Sequence, residues 1–130
     1  MIFKTDSSSK DKIGLLLSVV ESDLETISEI KHISSRDSTT LKLCYDVLHS
    51  LCEAIIRLYG YKSYNHICLF AFVCKQTGFK EADFNFLDGL RRMRNNLHYV
   101  GISQSIPYQS YRTQFIFHVD LFTSYVKDML

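Results

Sequence analysis

Phe84-Asn85-Phe86-Leu87-Asp88-Gly89-Leu90-Arg91-Arg92-Met93-Arg94-Asn95-Asn96-Leu97-His98-Tyr99 is the stretch that decides how the rest of the chain folds. Phe86, Leu90, Met93 and Leu97 fall at i, i+4, i+7 and i+11, which on a helix is one narrow apolar stripe. The spacing predicts a helix over Lys80 to Tyr99, punctuated afterwards by Gly101 and Pro107. Toward the C-terminus, Tyr111, Phe115, Val119, Phe122, Val126 and Met129 make a second helical stripe, although several of its residues are β-branched or aromatic and lower helix propensity.

Toward the N-terminus, Tyr64 to Gln76 is apolar through Ile67, Leu69, Phe70, Phe72 and Val73 and stops at Thr77-Gly78. Its length favours a short buried helix, while periodicity alone also allows a strand. Leu41, Tyr45, Leu48, Cys52, Ile55 and Tyr59 repeat at three and four residues until Gly60, and Lys42, Asp46, His49, Glu53 and Arg57 take the opposite, solvated face. Glu53 and Arg57 stand at i,i+4 spacing for an ion pair. His32 to Thr40 is polar and turn-like. Before it, Ile13, Leu16, Leu17, Val20, Leu24 and Ile27 predict an amphipathic helix from Lys10 to about Ile33. The expectation is therefore an all-α chain of four long helices and one short one, without internal repeat or linker. Residues 11–130 form one domain, and residues 1–10 a flexible N-terminus in which Ser8 or Ser9 is available as a cap.

With 130 residues there is room for one core but not two. An apolar share of 46% excludes a disordered chain, and a net charge of +1 excludes coating of nucleic acid by bulk charge, while a local face built on Arg91, Arg92 and Arg94 can still meet phosphate. The most apolar early run, Ile13 to Val20, is interrupted by Gly14 and Ser18 and is followed by no cleavage pattern, and no segment approaches the ~20 residues that span a bilayer. A cytoplasmic protein with no membrane association is expected. Cys44, Cys52, Cys68 and Cys74 form no C-x-x-C pair and are expected as buried thiols. His32, His49, His66 and His118 are scattered, lack metal-ligand spacing on a shared face and are assigned no site. No metal or cofactor is expected.

At ~100° per residue, Arg91, Arg94, Asn95 and His98 gather on one side of the Lys80 to Tyr99 helix, beside its apolar stripe. Arg94 and His98 are one turn apart, so a fixed cation and a proton carrier can address one small anion, a pairing suited to phosphodiesters. The same cations also serve the negative end of a helix and cap its carbonyls without any ligand. Tyr99 is read by itself as a core or interface aromatic.

The run Leu90-Arg91-Arg92-Met93-Arg94-Asn95-Asn96-Leu97-His98-Tyr99-Val100-Gly101 resembles the signature near the end of the later long helix in HEPN domains. Glu53-Ala54-Ile55-Ile56 through Gly60-Tyr61-Lys62-Ser63-Tyr64-Asn65-His66 resembles the middle of small prokaryotic, particularly archaeal, members. The similarity covers most of the chain after Asp11. It implies a mostly antiparallel bundle, commonly a homodimer in which the motif helices approach each other. In nuclease members an Arg, usually followed by a polar residue, and then a His after four to six intervening positions form a metal-independent RNase site. The implied roles are His as acid or base around a ribose 2′-OH and Arg as the stabiliser of the phosphorane. Five residues separate Arg92 from His98 and six separate Arg91 from it. Arg94-Asn95 matches the motif's opening better, and on that anchor Tyr99 stands where the nucleases place His.

Three functional readings follow from the resemblance and the residues together. The first is a metal-independent RNase, toxin-like, with Arg91, Arg94, Asn95, His98 and Tyr99 as its catalytic candidates. The second is a non-catalytic module that binds RNA or a nucleotide or partners a nucleotidyltransferase. The third is a structural dimerisation domain whose arginines are saturated by carboxylates such as Asp83 and Asp88.

Overall fold

The computed structural model describes residues 2–5, 9–100 and 106–130, and the side chains of all of these except positions 9, 34 and 97–100. The chain is all-α apart from one small ribbon. Its helices are α1 (Ser9–Glu29), α2 (Asp37–Leu58), α3 (His66–Thr77), α4 (Glu81–Val100) and α5 (Arg112–Met129), of 21, 22, 12, 20 and 18 residues. The ribbon pairs strand β1 (Ile2–Lys4) antiparallel with strand β2 (Tyr61–Ser63) in the register Ile2↔Ser63, Phe3↔Lys62, Lys4↔Tyr61.

Helix α2 is the hub, packing against α1, α3, α4 and α5. Its expected stripe of Leu41, Tyr45, Leu48, Cys52 and Ile55 is buried, and so are Cys44, Val47, Leu51, Ala54 and Ile56, because neighbours cover it on nearly every side. It starts at Asp37, four residues earlier than the apolar pattern. The reason is local: a carboxylate in the first turn suits the positive end of the helix, and a 3-10 turn over Ser34–Arg36 leads the chain into it. α1 ends at Glu29, short of Ile33, and the 3-10 turn beyond it is closed by Arg36 N–H donating to the Ile33 carbonyl at 2.8 Å.

The ambiguous segment after Tyr64 is a helix. The Asn65 side chain accepts from the Cys68 N–H at 3.0 Å and opens α3, and Gly78 closes it in the left-handed region at φ 74°. Gly60, at φ 81°, performs the same service after α2, where its N–H donates to the Arg57 carbonyl at 3.0 Å. Helix α4 is opened by Asp83, whose Oδ2 accepts from the Lys80 N–H at 2.8 Å. Leu87 and Leu90 of α4 are fully buried, with Phe86 and Met93 packed at the edge of the core. Tyr111, just before α5, and Phe115, Val119, Phe122 and Val126 of α5 face inward, while Met129 at the helix end is half exposed. Each fully buried Leu, Ile or Phe contributes about 1.5–3 kcal/mol, so the core is anchored chiefly by α2 and the faces laid on it. Among the described residues no helix is long and apolar enough to cross a membrane.

Within the segment expected as a frayed terminus, residues 2–4 are instead a paired strand, and Thr5 continues the pairing by donating its N–H to the Gly60 carbonyl at 2.8 Å. Three residues have no periodicity to read, and their partner strand lies some sixty positions away. Ser9 is the first residue of α1, and Ser8 and Gly101 lie outside the described residues.

Candidate functional site

Tyr45, His49 and Glu53 stand at i, i+4 and i+8 on α2 and so form one row along that helix. Helix α3 lays His66, its first residue, against that row, and α4 brings Arg91 and Arg94 to it. The Tyr45 hydroxyl and His66 Nδ1 share a hydrogen bond. His49 and His66 are in contact with ring centroids 4.6 Å apart, and both meet the edge of Phe70, a fully buried residue that fixes the floor of the group. His49 Nδ1 lies 2.9 Å from Glu53 Oε1, so Glu53 pairs with this imidazole rather than with Arg57, the partner its spacing suggested.

The electrostatics follow from this crowding. Glu53 is held below the ordinary carboxylate range, first by the hydrogen bond from His49, against the opposing effect of burial. His66 is pushed down by burial first, then by the positive fields of His49, Arg94 and Arg91. Its imidazole is consequently neutral at pH 7. Burial drives the Tyr45 phenol up, against the pull of Arg94 and Arg91, so it keeps its proton. The arrangement thus holds a neutral imidazole, a protonated phenol and a carboxylate-backed second imidazole side by side.

The arginines divide. Asp88 takes two of them, Oδ1 accepting a hydrogen bond from Arg91 Nε at 2.8 Å and Oδ2 forming an ion pair with Arg92 Nε at 3.0 Å, an arrangement set by i+3 and i+4 spacing on α4. Arg92 is otherwise out in solvent, with its side chain 73% exposed. Arg94 has no carboxylate partner among the described residues: its guanidinium lies 5.2 Å from the centre of the Tyr45 ring, and its buried Nε has no hydrogen-bond partner. Asn95 is half-buried beside it. His98 and Tyr99 belong to α4 by backbone, and their side chains lie outside the described residues. Asp83, the other carboxylate expected to meet an arginine, instead binds His118 Nε2 at 2.7 Å.

Two of the four histidines that carried no site in the sequence, His49 and His66, thus belong to this one. Their missing signal is tertiary, because His49 and His66 sit on different helices and no spacing rule connects them. Tyr45, His49 and Glu53 did share a readable row, but the core stripe absorbed Tyr45 and the polar face absorbed the other two. Among the described residues no three His, Cys, Asp or Glu side chains converge to hold a metal. Burial pushes the Cys44 thiol up to about 12, Cys74 up to about 11 and Cys52 well above its ordinary value, so these three are poor nucleophiles. No family model matches the sequence, and no curated protein or solved structure matches it either.

Proposed function

We propose that this chain is a HEPN-like domain that cleaves RNA phosphodiesters without a metal ion. The observation that carries the reading is the convergence of Arg94, a cation without a carboxylate partner among the described residues, on a neutral His66 and the Tyr45 phenol. The tautomer in which His66 Nδ1–H donates to the Tyr45 oxygen leaves a lone pair on Nε2. That nitrogen takes the proton of the ribose 2′-OH as the 2′-oxygen attacks phosphorus. Arg94 stabilises the charge on the equatorial phosphorane oxygens. The bond to the 5′-oxygen breaks, and this leaving oxygen takes its proton from a second carrier, His98, one turn beyond Arg94 on α4. The products are a 2′,3′-cyclic phosphate and a free 5′-hydroxyl.

The test is incubation of tag-free protein with single-stranded RNA in chelator, with product ends read by mass spectrometry. Cyclic phosphate ends that disappear in Arg94→Ala, His66→Ala and His98→Ala and persist in Arg92→Ala are the expected result. Equal cleavage by all four variants assigns the activity elsewhere.

A second reading rests on Asp88, which already neutralises Arg91 and Arg92. A site with one unpaired guanidinium suits the holding of a phosphate as well as its cleavage, so the non-catalytic module binding RNA or a nucleotide, or partnering a nucleotidyltransferase, is the alternative. Binding without cleavage in the same assay selects it.

A further inference from the structure

Two residues before His66, the chain carries an exposed aromatic group that the site does not use. Tyr64 is 76% exposed and Phe3 40% exposed, and their ring centroids lie 5.8 Å apart at an angle of 47°. The ribbon explains why they are outside. Phe3 is directly opposite Lys62 in the register, so both project from one face, and Tyr64 continues that face two residues on. The other face is turned to the core, where Tyr61 meets the ring of Phe72 at 5.8 Å. On the outer face Lys62 Nζ stands 5.6 Å from the centre of the Tyr64 ring.

We infer that this ribbon is a docking platform for single-stranded RNA, with Tyr64 and Phe3 stacking on unpaired bases and Lys62 meeting the adjoining phosphate. The inference rests on the nuclease reading for the fate of the strand, but the surface argues for its occupant by itself. Every nucleotide of a single strand presents a flat π-face and an anion together, and a ring beside an ammonium matches both. The two rings are tilted rather than stacked in parallel, and both keep exposed surface. A duplex keeps its bases paired and stacked and gives the rings nothing to grip. Tyr64 and His66 are two residues apart, at most about 7 Å along the backbone, so a base on Tyr64 delivers its neighbouring phosphate to the imidazole and Arg94.

The experiment is fluorescence anisotropy of the full chain in chelator, using labelled single-stranded 2′-O-methyl RNA, which has no hydroxyl to attack, and the blunt duplex of the same sequence. Cleavage of unmodified RNA is followed in parallel. Wild-type protein prefers the single strand. Tyr64→Ala weakens that binding roughly tenfold, Tyr64→Phe restores it, and Lys62→Ala lowers the salt slope by about 0.7. KM for cleavage rises in Tyr64→Ala while kcat is unchanged. Active enzyme whose KM and RNA affinity ignore Tyr64→Ala overturns the platform and leaves the nuclease standing. Tyr64-dependent binding by a chain that cleaves nothing supports the platform and refutes the nuclease. A wild-type chain that binds no RNA but self-associates through Tyr64 assigns the ribbon to a second copy and overturns the inference.

Discussion

His66 and His118 are the same side chain put to opposite ends. His118, in α5, is buried between two acceptors, with Nε2 2.7 Å from Asp83 Oδ1 and Nδ1 2.6 Å from the Gln114 carbonyl, and it stacks on Phe86 at 4.7 Å. Both ring nitrogens are committed, and the ring ties the start of α4 to α5. His66 has one nitrogen on a phenol and no carboxylate of its own, and burial, helped by cationic neighbours, holds it neutral. An imidazole saturated by acceptors is a fastener, while one left beside a cation with a nitrogen to spare can exchange a proton. The difference lies in what α4 brings to each: Asp83 to His118, Arg91 and Arg94 to His66.

Removing each ring breaks the comparison most directly. His118→Ala leaves Asp83 with only the Lys80 N–H and empties a stacked site, so it lowers unfolding free energy by roughly 3 kcal/mol. His66→Ala, at a half-buried helix start, lowers it by about 1 kcal/mol. Denaturant midpoints measure both, and equal losses would erase the distinction. On activity the order reverses. With cleavage established, Arg94→Ala lowers kcat by about 10²–10³, the range for loss of a group that stabilises transition-state charge, while His118→Gln retains activity wherever it remains folded. Steady-state cleavage rates decide this, and an inactive but folded His118→Gln would move the chemistry to the other histidine.

The two imidazoles also differ in how far the sequence foretold them. The helices were legible because stripes such as Phe115, Val119, Phe122 and Val126 carry their own period. The ribbon was not, since Ile2 to Lys4 acquires meaning only beside Tyr61 to Ser63. For the site, the arginine side of α4 was legible as a charged edge next to Leu90 and Met93, and the pairing of Asp88 with Arg91 follows from spacing within one helix. The imidazole side was hidden, because Phe70 and Asn65 decide where α3 begins and which way His66 faces, and contact between helices leaves no trace in either helix alone. His118 illustrates the same point: it was read as a scattered histidine without a site, because Asp83, thirty-five residues away, could not be paired with it from the sequence.

A pH titration sharpens the contrast at smaller amplitude. In the folded chain the groups facing His66 are His49, Arg94, Arg91, Glu53 and Tyr45; burial first, then the fields of His49, Arg94 and Arg91, lower its value from the ordinary 6.5 against the opposing pull of Glu53. Between the lowered value and 6.5 the unfolded chain binds more protons than the folded one, so stability rises with pH across that interval. The contribution is complete above 6.5 and is lost as the pH falls toward the folded-state value. His66→Gln removes this slope. It leaves the separate loss at lower pH that comes from Glu53, whose carboxylate is held below its ordinary 4.5 and stabilises the fold only above that range. Unfolding free energies measured across both intervals test the assignment, and an unchanged slope in His66→Gln would assign the titration to another group.

The smallest effect concerns Asp88, which the site shares with the protein surface. Arg92 extends into solvent and pairs with a carboxylate that Arg91 already engages from the half-buried side. Its Coulomb gain is screened and offset by the ordering of a long side chain, so Arg92→Ala changes stability by less than about 0.5 kcal/mol. Arg91→Ala loses more, because its side chain is only 21% exposed and packs at the edge of the core. A double-mutant cycle of each arginine with Asp88→Asn separates the two couplings. A larger coupling for Arg91 than for Arg92 identifies Asp88 as the residue that restrains the inner arginine and leaves Arg94 as the cation presented to a phosphate. Comparable couplings would make Asp88 a surface hub with no bearing on the site.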